Sequence, residues 1–193
     1  MFVLVEGDSD AGAVRALAEL LDCDLSQSGI EVCSAAGVTN FPKLLTEFVR
    51  THPGVAVCGI YDVADERHVR LALAKAGIPI STGEPLESFN FFACVADLED
   101  ELIRALGVDA VVDMLGTQGE LASFRRFQAM PQHRASPIHA QLHRFLGTRA
   151  TRKIRSARLL AERLNPDGLP PPLAKLASTL KRAASCATGA GDG

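Results

Sequence analysis

The sequence predicts an α/β fold: a parallel sheet of about four strands sandwiched by helices, continued by an all-helical C-terminal extension. Short apolar runs rich in β-branched residues alternate with segments of helical periodicity through residue 107, the pattern of strands joined by helical crossovers. From about residue 108 onward no strand pattern occurs. Three of the four strand-like runs end in a carboxylate: Glu6, Asp62 and Asp97.

FVLVE (2–6) is a buried strand closed by Gly7. Asp8, Ser9 and Asp10 supply N-cap chemistry for a helix over 11–21, with Val14, Leu17, Ala18 and Leu21 on one face. IEVCSA (30–35) is the second strand, and Asn40 can cap a helix running to about Arg50. GVAVCGIYD (54–62) is the third strand, followed by a helix from Asp65 to Ala76. Residues 79–88 are a loop, FNFFACVAD (89–97) is the fourth strand, and LEDELIRAL (98–106) is a helix closed by Gly107. Phe89, Phe91 and Phe92 fit a buried strand better than a base-stacking platform, and Gly37 and Gly54 read as turn residues. ASFRRFQAM, PIHAQLHRFL and ATRKIRSARLLAERL are helical; NPDGLPPP breaks the pattern before a short helix near 173–184. These elements divide into residues 1–115, a basic helical extension over 116–184, and a small-residue tail over 185–193 expected to be disordered.

With 47% hydrophobic residues the 193-residue chain can build a real core, and no apolar run approaches the roughly 20 residues of a membrane span. The N-terminus lacks the basic and small-residue features of a signal peptide, so a cytoplasmic protein is expected. Cys23, Cys33, Cys58, Cys94 and Cys186 are odd in number and contain no CxxC, which favours free thiols over a zinc site. A net charge of −3 conceals a segregation: residues 1–120 hold 20 acidic and 7 basic residues, residues 121–163 hold 1 acidic and 10 basic. Such segregation points to nucleic acid, with Arg125, Arg126, Arg149, Arg152 and Arg155 as candidate phosphate contacts. The alternative is a basic helical arm packed on an acidic domain.

In open parallel sheets functional groups gather beyond the carboxyl ends of the strands. Glu6, Asp62 and Asp97 belong there, and Asp10 and Glu101 each follow a strand-end acid by four residues, one helical turn. Carboxylates converging at one edge repel unless a cation lies among them. Mg²⁺ or Mn²⁺, as one ion or two about 4 Å apart, is the expected cofactor. Each acid taken singly also suits a helix cap. His133, His139 and His143 read as polar residues of a helix face rather than a metal site, since no HExxH or Cys accompanies them.

VEGDSD after an apolar strand resembles the first toprim motif, and GIYDVADE takes the place of the second. FVLVEGDSDAGAVRALAELL, AAGVTNFPKLL, ACVADLEDELIRALG and GTRATRKIRSARLLAERL together resemble the toprim half of the overcoming-lysogenization-defect (OLD) family of ATP-dependent endonucleases. The resemblance implies a toprim-like fold and metal-dependent cleavage of DNA, with Glu6, Asp10, Asp97 and Glu101 binding metal. It also implies a catalytic lysine, best matched by Lys153, the only Lys between residues 76 and 174. Two departures stand out. The usual second motif is Asp-x-Asp, but Asp62 is followed by Val63 and Ala64; Asp65 and Glu66 are the nearest substitutes. No GxxxxGK[ST] loop is present, so a standalone toprim protein is expected, with any ATP dependence supplied by a separate ATPase subunit and with homodimerisation open. The expected activity is that of a nuclease or nicking enzyme acting on DNA. The alternatives are an inactive DNA-binding or regulatory subunit and a phosphoacceptor receiver-like domain, the long helical C-terminal part speaking against the last.

Overall fold

The computed structural model describes residues 1–189. The elements run β1 (Phe2–Val5), α1 (Asp8–Leu20), β2 (Glu31–Ser34), α2 (Phe41–Thr51), β3 (Val57–Asp62), α3 (Glu66–Lys75), β4 (Phe91–Cys94), α4 (Leu98–Leu106), α5 (Val108–Thr117), α6 (Leu121–Ala129), α7 (Ile138–Leu146), α8 (Ala150–Ala161) and α9 (Pro171–Gly189). All strand pairs are parallel and the order is β2-β1-β3-β4. The chain therefore reverses its direction of winding between β1 and β3. The carboxyl ends of those two neighbours flank the crevice where open α/β sheets place ligands.

Alternation along the strands sorts side chains onto two cores. Val3, Val5, Cys58, Ile60, Phe92 and Cys94 face one layer, which contains α1, α4 to α9 and buried residues as late as Leu180. Leu4, Tyr61 and Phe91 face the other, covered by α2 and α3. The division expected at residues 115 and 116 falls inside α5, and the helices after it share the first core with the sheet. α8 lies along α1, and α9 reaches β3 and β4.

Several boundaries differ from the sequence pattern, three of them for identifiable reasons. β4 covers only 91–94 of the expected 89–97. Asn90 takes a left-handed conformation at φ +59°, and beyond Cys94 the Val95 amide donates to Glu101 Oε1 (3.0 Å). α1 starts at Asp8, because Gly7 is the extended N-cap residue and its amide donates to Asp10 Oδ2 (2.9 Å). α9 runs to Gly189, through five residues of the expected tail, since Ser185, Cys186, Ala187 and Thr188 contain no helix breaker. The rest of that tail, 190–193, lies outside the described residues. Among the described residues no helix is long and apolar enough to cross a membrane, and the five cysteines are free.

Candidate metal and phosphate site

Glu6 follows β1 directly and Asp62 ends β3, so the register of two adjacent parallel strands brings them to one edge. A short 3-10 turn (Val63–Asp65) then folds the chain back over that edge, and Asp65 joins them. One carboxylate oxygen from each of Glu6, Asp62 and Asp65 lies within 4.8 Å of the others. Asp65 thus lies beside Asp62, where Ala64 leaves the Asp-x-Asp spacing without its second acid. Glu66 does not: it bonds Arg70 Nε at 2.7 Å.

Asp10 comes to the same site from the first turn of α1. Burial, reinforced by the negative charge of Glu99, pushes its carboxyl up to about 7. Asp62 is likewise pushed up to about 7, by burial and then by Glu6, Asp10, Asp97 and Glu99. Glu6 is raised by burial and by Asp65. A set of carboxylates that holds protons near neutral pH is short of positive charge.

Asp97 caps α4. Its Oδ1 accepts the Asp100 amide at 2.8 Å and its Oδ2 bonds His143 Nε2 at 2.7 Å. Burial works to raise Asp97, but those bonds outweigh it and hold the group below its ordinary value, ionised. His143 is raised in turn, chiefly by this hydrogen bond. His139 Nε2 bonds Asp100 Oδ1 at 2.6 Å, so the two histidines of α7 clamp it to the start of α4. His133 is buried and stacks on Phe127.

Two sequence expectations need correction. Glu101 does not join Asp97 at the cluster, although its amide donates to the Asp97 carbonyl (3.2 Å) as helical spacing requires. The Glu101 carboxylate turns back instead to the Val95 amide and to Arg104 (2.8 Å). The acid of α4 that faces the cluster is Glu99. Its side chain is buried and neither oxygen has a hydrogen-bond partner, while Lys153 Nζ of α8 stands 3.4 Å from Oε1. That ammonium and the Glu99 carboxylate form an ion pair. Burial pulls Lys153 down, yet Glu99 and Asp10 more than compensate and hold it above its usual value. Sequence offered no sign separating Glu99 from its neighbours, since three consecutive acids fill this turn.

The second correction concerns Arg152. It is 9% exposed, bonded to Glu120 and Thr148, with its guanidinium 4.1 Å from the centre of the Phe145 ring. Such a side chain holds α8 against α6 and α7 and is not available to a phosphate. Arg155 also bonds Glu120, though it remains exposed. Arg125 and Arg126 bond Gln128 and Ser123 of their own helix, and Arg149 is exposed at the N-cap of α8. Beside the acids, Asp97, Glu99, His143, Arg144, Gly147 and Lys153 line an open pocket.

A buried carboxylate without a hydrogen bond, two carboxyls held near 7 and three oxygens within 4.8 Å make a donor set that fits a hard divalent cation. Residues 1–63 match the family model described as "Overcoming lysogenization defect protein-like, TOPRIM domain". The fold resembles the C-terminal region of the Burkholderia pseudomallei OLD protein (23% identity, TM-score 0.67, 95% of this chain and 97% of that one). It also resembles the C-terminal region of the Xanthomonas campestris pv. campestris OLD protein (20% identity, TM-score 0.70, 97% of each chain). A search of curated protein sequences finds no match.

Proposed function

We propose that this chain, toprim-like over residues 1–63 and OLD-like in fold through nearly all its length, is a divalent-metal-dependent phosphodiester hydrolase acting on DNA. The observation that carries the reading is the convergence of Glu6, Asp62 and Asp65 at the crevice between β1 and β3, beside buried Glu99 and its unbonded oxygens. Glu6, Asp62 and Asp65 would hold one Mg²⁺ or Mn²⁺, with Asp10, Asp97 and Glu99 completing its shell or holding a second ion. When bound, such an ion supplies Lewis-acid polarisation of the phosphoryl group and a stronger nucleophile at neutral pH.

The remaining chemistry falls to the chain. Lys153 keeps its proton through neutral pH and offsets negative charge on the phosphoryl oxygens, an electrostatic role that a preset cation fills without reorganisation. His143 fixes the Asp97 carboxylate by taking up one of its oxygens, leaving the other to the Asp100 amide. The pocket beside Asp97 and Lys153 is open to solvent and lined by Arg144, so a phosphate has access to it.

The test is nicking of supercoiled plasmid in Mg²⁺ or Mn²⁺. Wild type is expected to relax or linearise the plasmid, and Glu6→Ala, Asp62→Asn and Lys153→Ala to lose at least 100-fold in rate, the scale of a lost electrostatic stabiliser. Plasmid left equally intact by wild type and Glu6→Ala overturns the reading. If DNA still shifts on a gel in that case, the chain is a DNA-binding subunit.

A further inference from the structure

Helices α2 and α3 pack side by side on the sheet face opposite α8, and an open groove runs between them. Lys43, Arg50 and Lys75 line it, together with His68, Glu47 and Leu71. Several other cations are committed to acids: Arg70 to Glu66, Arg104 to Asp100, Arg152 and Arg155 to Glu120, Arg158 to Glu162 and Glu19. Among the described residues Lys43, Arg50 and Lys75 take part in no ion pair. Even Glu47, four residues after Lys43 and three before Arg50, pairs with neither. All three cations are exposed.

The groove is joined to the acidic site. Its His68 bonds Asp65 Oδ1 at 3.2 Å, and Asp65 is one of the three converging acids. In a parallel sheet each crossover helix starts at the carboxyl edge of the strand before it, so α2 and α3 both start at the site and run away from it. Lys43 and His68 sit near that end, and Arg50 and Lys75 fall in the last turns. Lys43 and Arg50 are seven residues apart, about 10 Å along the helix axis, which is the advance of about three nucleotides in one B-form strand.

We propose that the α2–α3 groove is a path for the sugar-phosphate backbone of a polynucleotide, leading the strand to or from the acidic site. Phosphates are bound by Lys43, Arg50 and Lys75, while Arg152, Arg155 and Arg158 of α8 are taken up by acids of neighbouring elements. This rests on the reading of the acidic site as one that acts on DNA. Point charges on flexible stems contact phosphate without reading bases, so the groove gives affinity but no sequence preference.

The experiment is binding of a fluorescent DNA duplex and its single strand by wild type, by a Lys43→Ala/Arg50→Ala/Lys75→Ala triple variant and by an Arg125→Ala/Arg126→Ala/Arg149→Ala triple variant. It is run in EDTA over a range of salt concentrations, with circular dichroism melts to verify folding. The groove variant is expected to lose at least ten-fold in affinity and to flatten the slope of log K against log salt by about 2 to 3. The second variant should bind within about two-fold of wild type. Wild-type binding retained by the groove variant, with loss in the other, overturns the groove and leaves the nuclease reading standing. If wild type binds neither DNA, the groove and the choice of DNA as substrate fall together.

Discussion

Among the described residues Glu99 is the buried side chain whose polar atoms lack a hydrogen bond: it is 3% exposed and faces Asp10 and Glu6, with Lys153 Nζ 3.4 Å away. Removing its charge relieves the acids around it. Glu99→Gln is expected to raise metal-free stability by about 1 kcal/mol, to lower the Asp10 carboxyl toward its ordinary value, and to weaken the stabilisation given by Mg²⁺. Urea melts in EDTA and in Mg²⁺ check this, and equal Mg²⁺ stabilisation in variant and wild type refutes it. Asp10 and Asp62 also set a pH dependence. Both are raised to about 7 in the folded state, so the native protein binds protons that the unfolded chain releases. Their contribution is complete below about pH 4 and is lost as pH climbs through 7. In EDTA the melting temperature should fall from pH 5 to pH 8, and Mg²⁺ should flatten that fall; a metal-free melting temperature that rises across this range contradicts it. At this scale the convergence of Glu6 and Asp62 was legible because strand ends locate them, and that of Asp10 because it follows Glu6 by one helical turn. Glu99, Asp65 and Arg152 were not, because the direction of a side chain in a turn or a mixed-charge helix is set by partners distant in sequence.

Among the elements, β3 and α1 each carry a glycine that tests the packing. A Cβ on Gly59 would lie 2.4 Å from the Leu4 carbonyl oxygen and 3.0 Å from the Phe91 ring. Gly59→Ala should therefore destabilise by about 3 kcal/mol, the upper end of overpacking costs, by forcing β1 and β3 apart beneath Glu6 and Asp62. On α1, a Cβ on Gly12 would meet α8 at ordinary contact, 3.8 Å from the Ile154 carbonyl. Gly12→Ala should stabilise by about 0.5–1 kcal/mol through helix propensity alone. Thermal melts of the two variants should move in opposite directions, and movement in the same direction contradicts the assigned packing. α4 could be read to the residue because its cap, acidic first turn and closing Gly107 are all local signals. α5 carries no such mark: VDAVVDMLGT is apolar on most sides and rich in β-branched residues, so its helical state depends on burial of Val111, Met114 and Leu115.

For the molecule as a whole, part of the basic charge of residues 121–163 has an internal destination. Lys153, Arg152, Arg155 and Arg158 pair with Glu99, Glu120 and Glu19, and His139 and His143 pair with Asp100 and Asp97. The charge segregation visible in the sequence is therefore partly the complementarity of packed elements of one fold. Helices α8 and α9 complete the core that faces Val3, Val5, Ile60 and Phe92. A chain cut after residue 115 should lose cooperative unfolding and bind a hydrophobic dye, as measured by calorimetry and dye fluorescence; a sharp two-state melt for that fragment would restore the division at 115 and 116. Alternation of strand and helix made the sheet legible early. What could not be read is that the late helices roof the same sheet, since no local signal tells which surface an amphipathic helix will cover.

The acids and the lysine of the site come from opposite ends of the chain, Glu6 beside β1 and Lys153 on α8. A ribosome translating this message releases Glu6, Asp10, Asp62 and Asp97 long before it has read the codon for Lys153. An interrupted or prematurely terminated product carries the acids without the cation that faces them and without the helix that covers α1. The order of synthesis thus leaves the acidic cluster without its facing cation until α8 has been made.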